Sequence, residues 1–330
     1  MIITKTPFRV SFCGGGSDLE SFYEKYDGCV LSTTINKYMY ISVHPYFDAR
    51  YTALKYSENE IVDDISKIKH KIFNCVLNKT EISGVEISST ADIPAGTGLG
   101  SSSTFTVGLL NTLYCYKGKY ASKARLAEEA SDIEINKLGA PIGKQDQYAA
   151  SFGGLNFIRF NRDGSVSVSP IVMKPETYTK LQNNLMMFYI GSSRSANEIL
   201  GEQKQNMSKE DKTNNLIEMC KLAEEMKMAL EENDLSSFGN ILHKSWELKR
   251  TLASGISNPS IDEAYHVAME NGALGGKLLG AGGGGFLLLY CEPDNQEKVR
   301  VSLGLKQLNF EFERDGTSVV YIGDKYWSEN

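Results

Sequence analysis

Pro94-Ala95-Gly96-Thr97-Gly98-Leu99-Gly100-Ser101-Ser102-Ser103 runs straight into an apolar pattern. Phe105, Leu109 and Leu113 recur every four residues, with Leu110 and Tyr114 beside them. That spacing predicts a helix over residues 102–116. A glycine-rich loop feeding a helix N terminus is an anion site. The first backbone N–H groups have no partner within the helix, and the helix dipole adds partial positive charge. Glycines let backbone approach phosphate oxygens closely. Serine hydroxyls cap the helix, bind phosphate or ligate a divalent cation. The stretch is not a Walker A loop, because no Gly-Lys-Ser/Thr follows. Glycines at 96, 98 and 100 do not make Gly-x-Gly-x-x-Gly either. A lone cluster of this kind is usually an ordinary capped turn; two further stretches argue against that here.

The first is Lys277 to Leu289, Lys-Leu-Leu-Gly-Ala-Gly-Gly-Gly-Gly-Phe-Leu-Leu-Leu. Five of the six positions from Gly280 to Gly285 are glycine, ahead of an apolar strand. A turn needs one or two glycines, and ordering five is entropically costly. Backbone passing close to the first loop and its phosphates would explain the run, with Gly282 and Gly283 at its centre. The second is Thr6-Pro7-Phe8-Arg9-Val10-Ser11-Phe12-Cys13-Gly14-Gly15-Gly16-Ser17-Asp18. Arg9 lies within an apolar strand, and arginine is rarely buried unless paired. It serves either an anion or a carboxylate, or it faces outward on a half-buried strand.

Two carboxylates stand out by position. On a helix over residues 122–138, Glu134 falls within the apolar arc with Ala127, Ala130 and Leu138. A carboxylate aimed at a core needs a cation, either a metal or a structural ion-pair partner. Asp146 lies in Gly139-Ala140-Pro141-Ile142-Gly143-Lys144-Gln145-Asp146-Gln147, a Gly/Pro loop entering a helix-like segment. Such a carboxylate suits a general base, or caps the helix.

The remaining sequence bounds the class. The chain has 330 residues, 41% hydrophobic and 23% charged, enough for two cores. A net charge of −6 and the lack of a basic–aromatic patch argue against nucleic acid and acidic membranes as partners. Cysteines 13, 29, 75, 115, 220 and 291 and histidines 44, 70, 243 and 266 form neither a disulfide framework nor a transition-metal pattern. No signal-peptide or membrane-spanning run is visible, so a reduced cytoplasmic location is expected.

Strands are expected at 2–12, 29–35, 37–47 and 85–90, and a hairpin over 154–172 turning at residues 161–164. A strand at 185–190 leads into a polar tract, 201–214. Helices at 213–232, 234–252 and 260–271 precede strands at 285–291, 308–313 and 317–322. The class is α+β, divided near residue 176 into domains of 1–176 and 177–330.

Together these segments resemble the small-molecule kinase superfamily of galactokinase, homoserine kinase, mevalonate kinase and phosphomevalonate kinase, over nearly the whole chain and in order. Thr6 to Asp18 resembles its first motif, Pro94 to Ser103 its phosphate loop, and Gly280 to Gly285 its third motif. The resemblance implies an N-terminal ribosomal-protein-like α/β domain, a ferredoxin-like C-terminal domain and a site between them. It implies ATP and Mg²⁺. Pro94, Gly96, Gly98, Leu99, Gly100, Ser101, Ser102, Ser103, Gly282 and Gly283 would hold the nucleotide, and Ser102 and Glu134 the metal. Asp146 would activate the acceptor hydroxyl beside Arg9, and Gly15, Gly16, Ser17 and Asp18 would grip a sugar.

Gly14-Gly15-Gly16-Ser17-Asp18 departs from galactokinase, which has a Gly-Glu-His segment before its aspartate. With Leu31 to Tyr38 and Gly275 to Gly280, it resembles a sugar-1-kinase branch whose acceptor is itself a sugar phosphate; L-fucose kinases are the nearest competitor. A phosphorylated acceptor requires a second anion site, for which Arg194 is the candidate and Lys144 and Arg159 the rivals. A non-catalytic sugar- and ATP-binding regulator and a decarboxylase branch of the same fold stay open. A homodimer is compatible with the sequence.

Overall fold

The computed structural model describes residues 1–191, 196–206 and 209–323. Strand β1 (Ile2–Cys13) is rich in β-branched and aromatic residues and almost entirely buried. It pairs antiparallel with β2 (Gly28–Pro45), and the short helix α1 (Glu20–Tyr26) lies between them. The two strands expected at 29–35 and 37–47 are one. The break between them is a bulge: Pro7 faces Tyr38 but Phe8 faces Ile35. Proline has no N–H for the ladder, so the register slips there. Arg9 is the second residue beyond the slip.

Strands β3 (Thr52–Lys55) and β4 (Asn59–Val62), helix α2 (Lys71–Thr80) and strand β5 (Val85–Ala91) follow, extending the sheet in the order β2-β5-β3-β4. Helix α3 (Ser101–Tyr116) crosses β1 closely. A Cβ on Gly108 would stand 2.7 Å from Thr6 Oγ1, and Thr4 and Thr112 share a 2.6 Å hydrogen bond across the contact. Helix α4 (Lys123–Ser131) does not run on regularly to residue 138; Asp132–Lys137 is a π-helical turn. Helix α5 (Gln145–Phe152) leads to the hairpin of β6 (Asn156–Phe160) and β7 (Val166–Pro170), and β6 pairs with the first half of β2.

After helix α6 (Pro175–Asn183), strand β8 (Leu185–Gly191) opens a second sheet. Helices α7 (Ala196–Asn206), α8 (Glu210–Glu231), α9 (Leu235–Lys249) and α10 (Pro259–Glu270) cross to β9 (Ala273–Leu278) and β10 (Gly285–Cys291). Helix α11 (Pro293–Leu303) then returns the chain to β11 (Lys306–Gln307). The order β11-β8-β10-β9, antiparallel throughout, is the ferredoxin-like arrangement the resemblance implies.

The polar tract 201–214 is largely helical, in α7 and the start of α8. Its amides turn inward: Asn206 Nδ2 donates to the Leu252 carbonyl at 2.9 Å. The strand expected at 308–313 is only the two-residue β12 (Phe312–Glu313). With β13 (Ser318–Ile322), it returns to the first sheet, against β2 and β1. A cut at residue 176 would therefore strip both strands from that sheet. One core also spans both sheets, with Phe12 edge-on to Phe238 at 5.3 Å. All six cysteines are free thiols.

Candidate active site

The two glycine loops meet. A Cβ on Gly280 would stand 2.5 Å from Gly98 Cα, and one on Gly98 would stand 2.4 Å from the Leu279 carbonyl oxygen. No side chain fits, so glycine at both positions lets two backbones touch. Gly100, at φ 77°, starts α3 with no side chain capping it. A Cβ there would also crowd Asp146 Oδ2 at 3.0 Å. The open N terminus of α3 faces a cleft of about 320 Å³ between the two sheets.

Asp146 sits in the first turn of α5. Arg9 holds it with two parallel bonds, Nε to Oδ1 at 2.7 Å and Nη2 to Oδ2 at 2.8 Å. Arg9 Nη1 donates to the Gly98 carbonyl at 2.5 Å, tying the pair to the first glycine loop. Arg9 is 5% exposed, so the outward-facing alternative is excluded. The bidentate geometry fixes the carboxylate plane, and the Asp146 side chain keeps 21% exposure toward the cleft.

Glu134 is buried, and among the described residues no lysine or arginine forms an ion pair with it. Oε1 accepts from Ser102 Oγ at 2.6 Å and Oε2 from Gln147 Nε2 at 2.8 Å. Burial pushes its carboxyl pKa up, with Ser102 and Gln147 opposing and the Asp146 charge adding. Gln147 Oε1 is buried with no partner. A carboxylate and a serine hydroxyl at a helix N terminus are hard oxygen donors. They suit a magnesium ion that takes its other ligands from phosphates and water. Among the described residues, no cluster of three or more His, Cys, Asp or Glu side chains could hold a metal by itself.

Asp18 is also buried, and burial and then Asp146 push its carboxyl pKa up. It accepts from the Gly16 N–H at 3.0 Å, the Gln145 N–H at 3.1 Å and Gln145 Nε2 at 3.0 Å. Gln145 Oε1 and Gln203 Nε2 lack partners, and both glutamines line the cleft beside Asp18. Nothing in the local sequence singles out Gln203, Gln145 or Lys249, which also line the cleft.

The cleft wall brings together Arg9, Gly16, Asp18, Gly96, Gly98, Gly100, Ser101 to Ser103, Glu134, Asp146 and Gly282. Other sequence candidates lie behind it. The single Ser17 hydroxyl proton is shared between the Gly14 and Cys29 carbonyls, and Ser17 Oγ accepts from the Cys29 N–H, so it knots the loop to β2 rather than facing the cleft. Leu99 is buried, and its carbonyl accepts the Arg9 N–H. Pro94 accepts from Thr97 Oγ1, and the Gly283 N–H donates to the Ile256 carbonyl. Gly15 packs near the Lys249 ammonium.

Neither rival for the second anion site reaches the cleft. Lys144 donates to the Gly164 carbonyl at 3.1 Å, and Arg159 pairs with Glu224 at 2.8 Å. Arg194 lies outside the described residues. No helix among them is long and apolar enough to cross a membrane.

Residues 65–154 match the model of the GHMP kinases N terminal domain, and residues 226–307 the model of the GHMP kinases C terminal domain. The chain is 29% identical over 332 aligned residues to a D-glycero-alpha-D-manno-heptose 7-phosphate kinase of Campylobacter jejuni, covering 96% of this chain and 97% of that protein. It is 27% identical to a galactokinase of Pyrococcus furiosus, covering 90% and 91%. A crystal structure of a D-glycero-D-manno-heptose 1-phosphate kinase from Bacteriodes thetaiotaomicron superposes with a TM-score of 0.80 at 26% identity, covering 98% and 100%. Two domain matches in order, the paired glycine loops and the cleft between two sheets agree: the chain belongs to the GHMP kinase family, and it is a kinase.

Proposed function

We propose that this chain transfers the γ-phosphoryl group of ATP to the anomeric 1-hydroxyl of D-glycero-D-manno-heptose 7-phosphate. The observation that carries the chemistry is Asp146, held bidentate by Arg9 and packed against Gly100 at the open N terminus of α3. The observation that supports the sugar is end-to-end similarity to the Campylobacter jejuni heptose 7-phosphate kinase. L-Fucose is the second reading. The chain is 31% identical over 224 residues to the L-fucokinase/L-fucose-1-P guanylyltransferase of Bacteroides fragilis, across 66% of this chain and 23% of that protein.

In this mechanism the α3 N terminus receives the phosphates through the N–H groups of its first turn. Ser102 and Glu134 are the residues that would hold Mg²⁺, which when bound neutralises phosphate charge. Asp146 takes the proton of the anomeric hydroxyl. The sugar oxygen bonds to the γ-phosphorus, and the bond to the β-phosphate oxygen breaks, releasing ADP. Arg9 keeps both Asp146 oxygens in place and adds positive charge where the loose transition state spreads negative charge. Asp18, Gln145 Oε1 and Gln203 Nε2 meet the sugar hydroxyls, which give the two orphaned amide atoms their partners.

The test is ADP release with Mg²⁺ on D-glycero-D-manno-heptose 7-phosphate, L-fucose, galactose and mevalonate. Turnover confined to the heptose phosphate is expected. Turnover on L-fucose alone would move the assignment to the second reading, and ATP binding without turnover would favour a regulator. Gly280→Ala tests the loop contact. At φ 78°, with Gly98 Cα 2.5 Å from the new Cβ, the strain is about 1–3 kcal/mol. ATP affinity by calorimetry should fall ~10- to 100-fold. Wild-type affinity in this variant would mean the loops do not cooperate on the nucleotide.

A further inference from the structure

Two lysines are buried beside the cleft. Lys249, the last residue of α9, is 5% exposed, and Lys277, on β9, is 2% exposed. Lys277 Nζ reaches Ser11 Oγ at 3.4 Å, behind the cleft wall. Lys249 lines the cleft itself, and its Nζ donates to the Gly280 carbonyl at 2.8 Å. Among the described residues no carboxylate forms an ion pair with it. A desolvated ammonium held by one carbonyl is costly, and an anion arriving in the cleft would offset that cost.

The position of Lys249 says which anion. Its acceptor, Gly280, touches Gly98, and the Gly98 carbonyl accepts Arg9 Nη1. Arg9 and Lys249 thus hang on the carbonyls of two glycines in contact, while the rest of the guanidinium holds Asp146. Burial first, and then the Arg9 charge, bring the Lys249 ammonium down to about 8, against the opposing pull of Asp18, Asp146 and Cys13. This is the reacting end of the cleft. The substrate's own phosphate, on the last carbon of a seven-carbon sugar, would sit at the other end of the acceptor from the reacting hydroxyl.

We propose that Lys249 is a further catalytic residue whose ammonium, together with Arg9, contacts the phosphoryl group as it passes from ATP to the acceptor. The inference rests on the kinase reading. Negative charge spreads over the three equatorial oxygens of the transferring group, so a cation in a water-poor site acts most strongly there.

The test compares wild type, Lys249→Met and Lys249→Arg by steady-state kinetics and calorimetry. Lys249→Met is expected to lower kcat ~10²- to 10³-fold with KM for ATP and sugar within about threefold. It should bind Mg²⁺-ADP plus aluminium fluoride, a mimic of the transferring group, about 100-fold more weakly. Affinity for a non-hydrolysable ATP analogue should hold. Lys249→Arg should recover part of both losses, which a purely structural role would not produce.

A loss confined to KM for the phosphorylated sugar would overturn the proposal and make Lys249 the anchor of the substrate's own phosphate. Equal weakening of mimic and analogue would overturn it too, as would near-wild-type kcat. A wild-type protein that turns over no sugar would sink the kinase reading and this proposal with it, whereas turnover in wild type matched by Lys249→Met would sink the proposal alone.

Discussion

Asp146→Asn is expected to lower kcat by ~10²- to 10⁴-fold and to leave ATP affinity within about threefold of wild type. The amide keeps the shape of the carboxylate but not its chemistry. It offers one acceptor where Arg9 now finds two, and it turns an N–H group toward the guanidinium. It also has no basicity with which to take the hydroxyl proton. Arg9→Met should give a loss of similar order, since it frees the Asp146 plane and removes positive charge at the reacting end. The double variant should be little worse than either single one, because the pair acts as a unit. Single-turnover kinetics with the accepted sugar checks all three. Retention of kcat within about tenfold in Asp146→Asn would show that Asp146 positions Arg9 rather than accepting the proton.

Glu134→Gln is expected to do two opposite things. Mg²⁺-dependent nucleotide binding should collapse, because the carboxylate that would meet the ion is gone. Thermal stability near pH 7 should rise by about 1 kcal/mol, which is on the order of 2 °C in Tm. The folded-state pKa of Glu134 is raised by burial, so above the ordinary carboxylate range the native state binds more protons than the unfolded chain. Stability therefore falls as pH climbs from the unfolded value through the raised one. Glutamine removes that penalty and still accepts from Ser102. With Gln147 turned over, the new amide N–H can donate to the orphaned Gln147 Oε1. Melting curves at pH 4 and pH 7, with and without Mg²⁺-ATP, test both parts. The gain should be present at pH 7 and absent at pH 4. A variant less stable than wild type at both pH values would mean that the carboxylate is a structural keystone and not a cation ligand.

Much of the fold is legible where the pattern is local and repetitive. The 16-residue α3 shows in its apolar spacing, and β10 in its unbroken apolar run. Besides the short α1, β3, β4 and β9, three kinds of segment escape a local reading. Helices α6 and α11 are mostly exposed, so packing rather than a strong pattern holds them in place, whereas α2 carries a plain amphipathic spacing, Phe73, Val76, Leu77 and Thr80, that the expected elements leave out. Helix α7 hides in a polar tract, because its buried amides read as solvent-facing until their partners are known. The π-helical turn under Glu134 has no local signature, yet it sets where that carboxylate points.

Local chemistry in the sequence singled out the two glycine-rich stretches whose backbones touch, and it marked Arg9, Glu134 and Asp146 as groups needing partners. Runs of glycine and a lone charge in an apolar segment have few physical justifications, so they are informative before any fold is known. Tertiary structure alone decided the pairings, because each joins residues far apart in the chain: Arg9 with Asp146, Ser102 with Glu134, Lys249 with Gly280. It also moved Ser17 from a sugar contact to a structural knot and returned β12 and β13 to the first sheet. Whether a buried charge is paired, capped or left waiting for a ligand depends on what the chain brings to it from elsewhere, and no local pattern carries that.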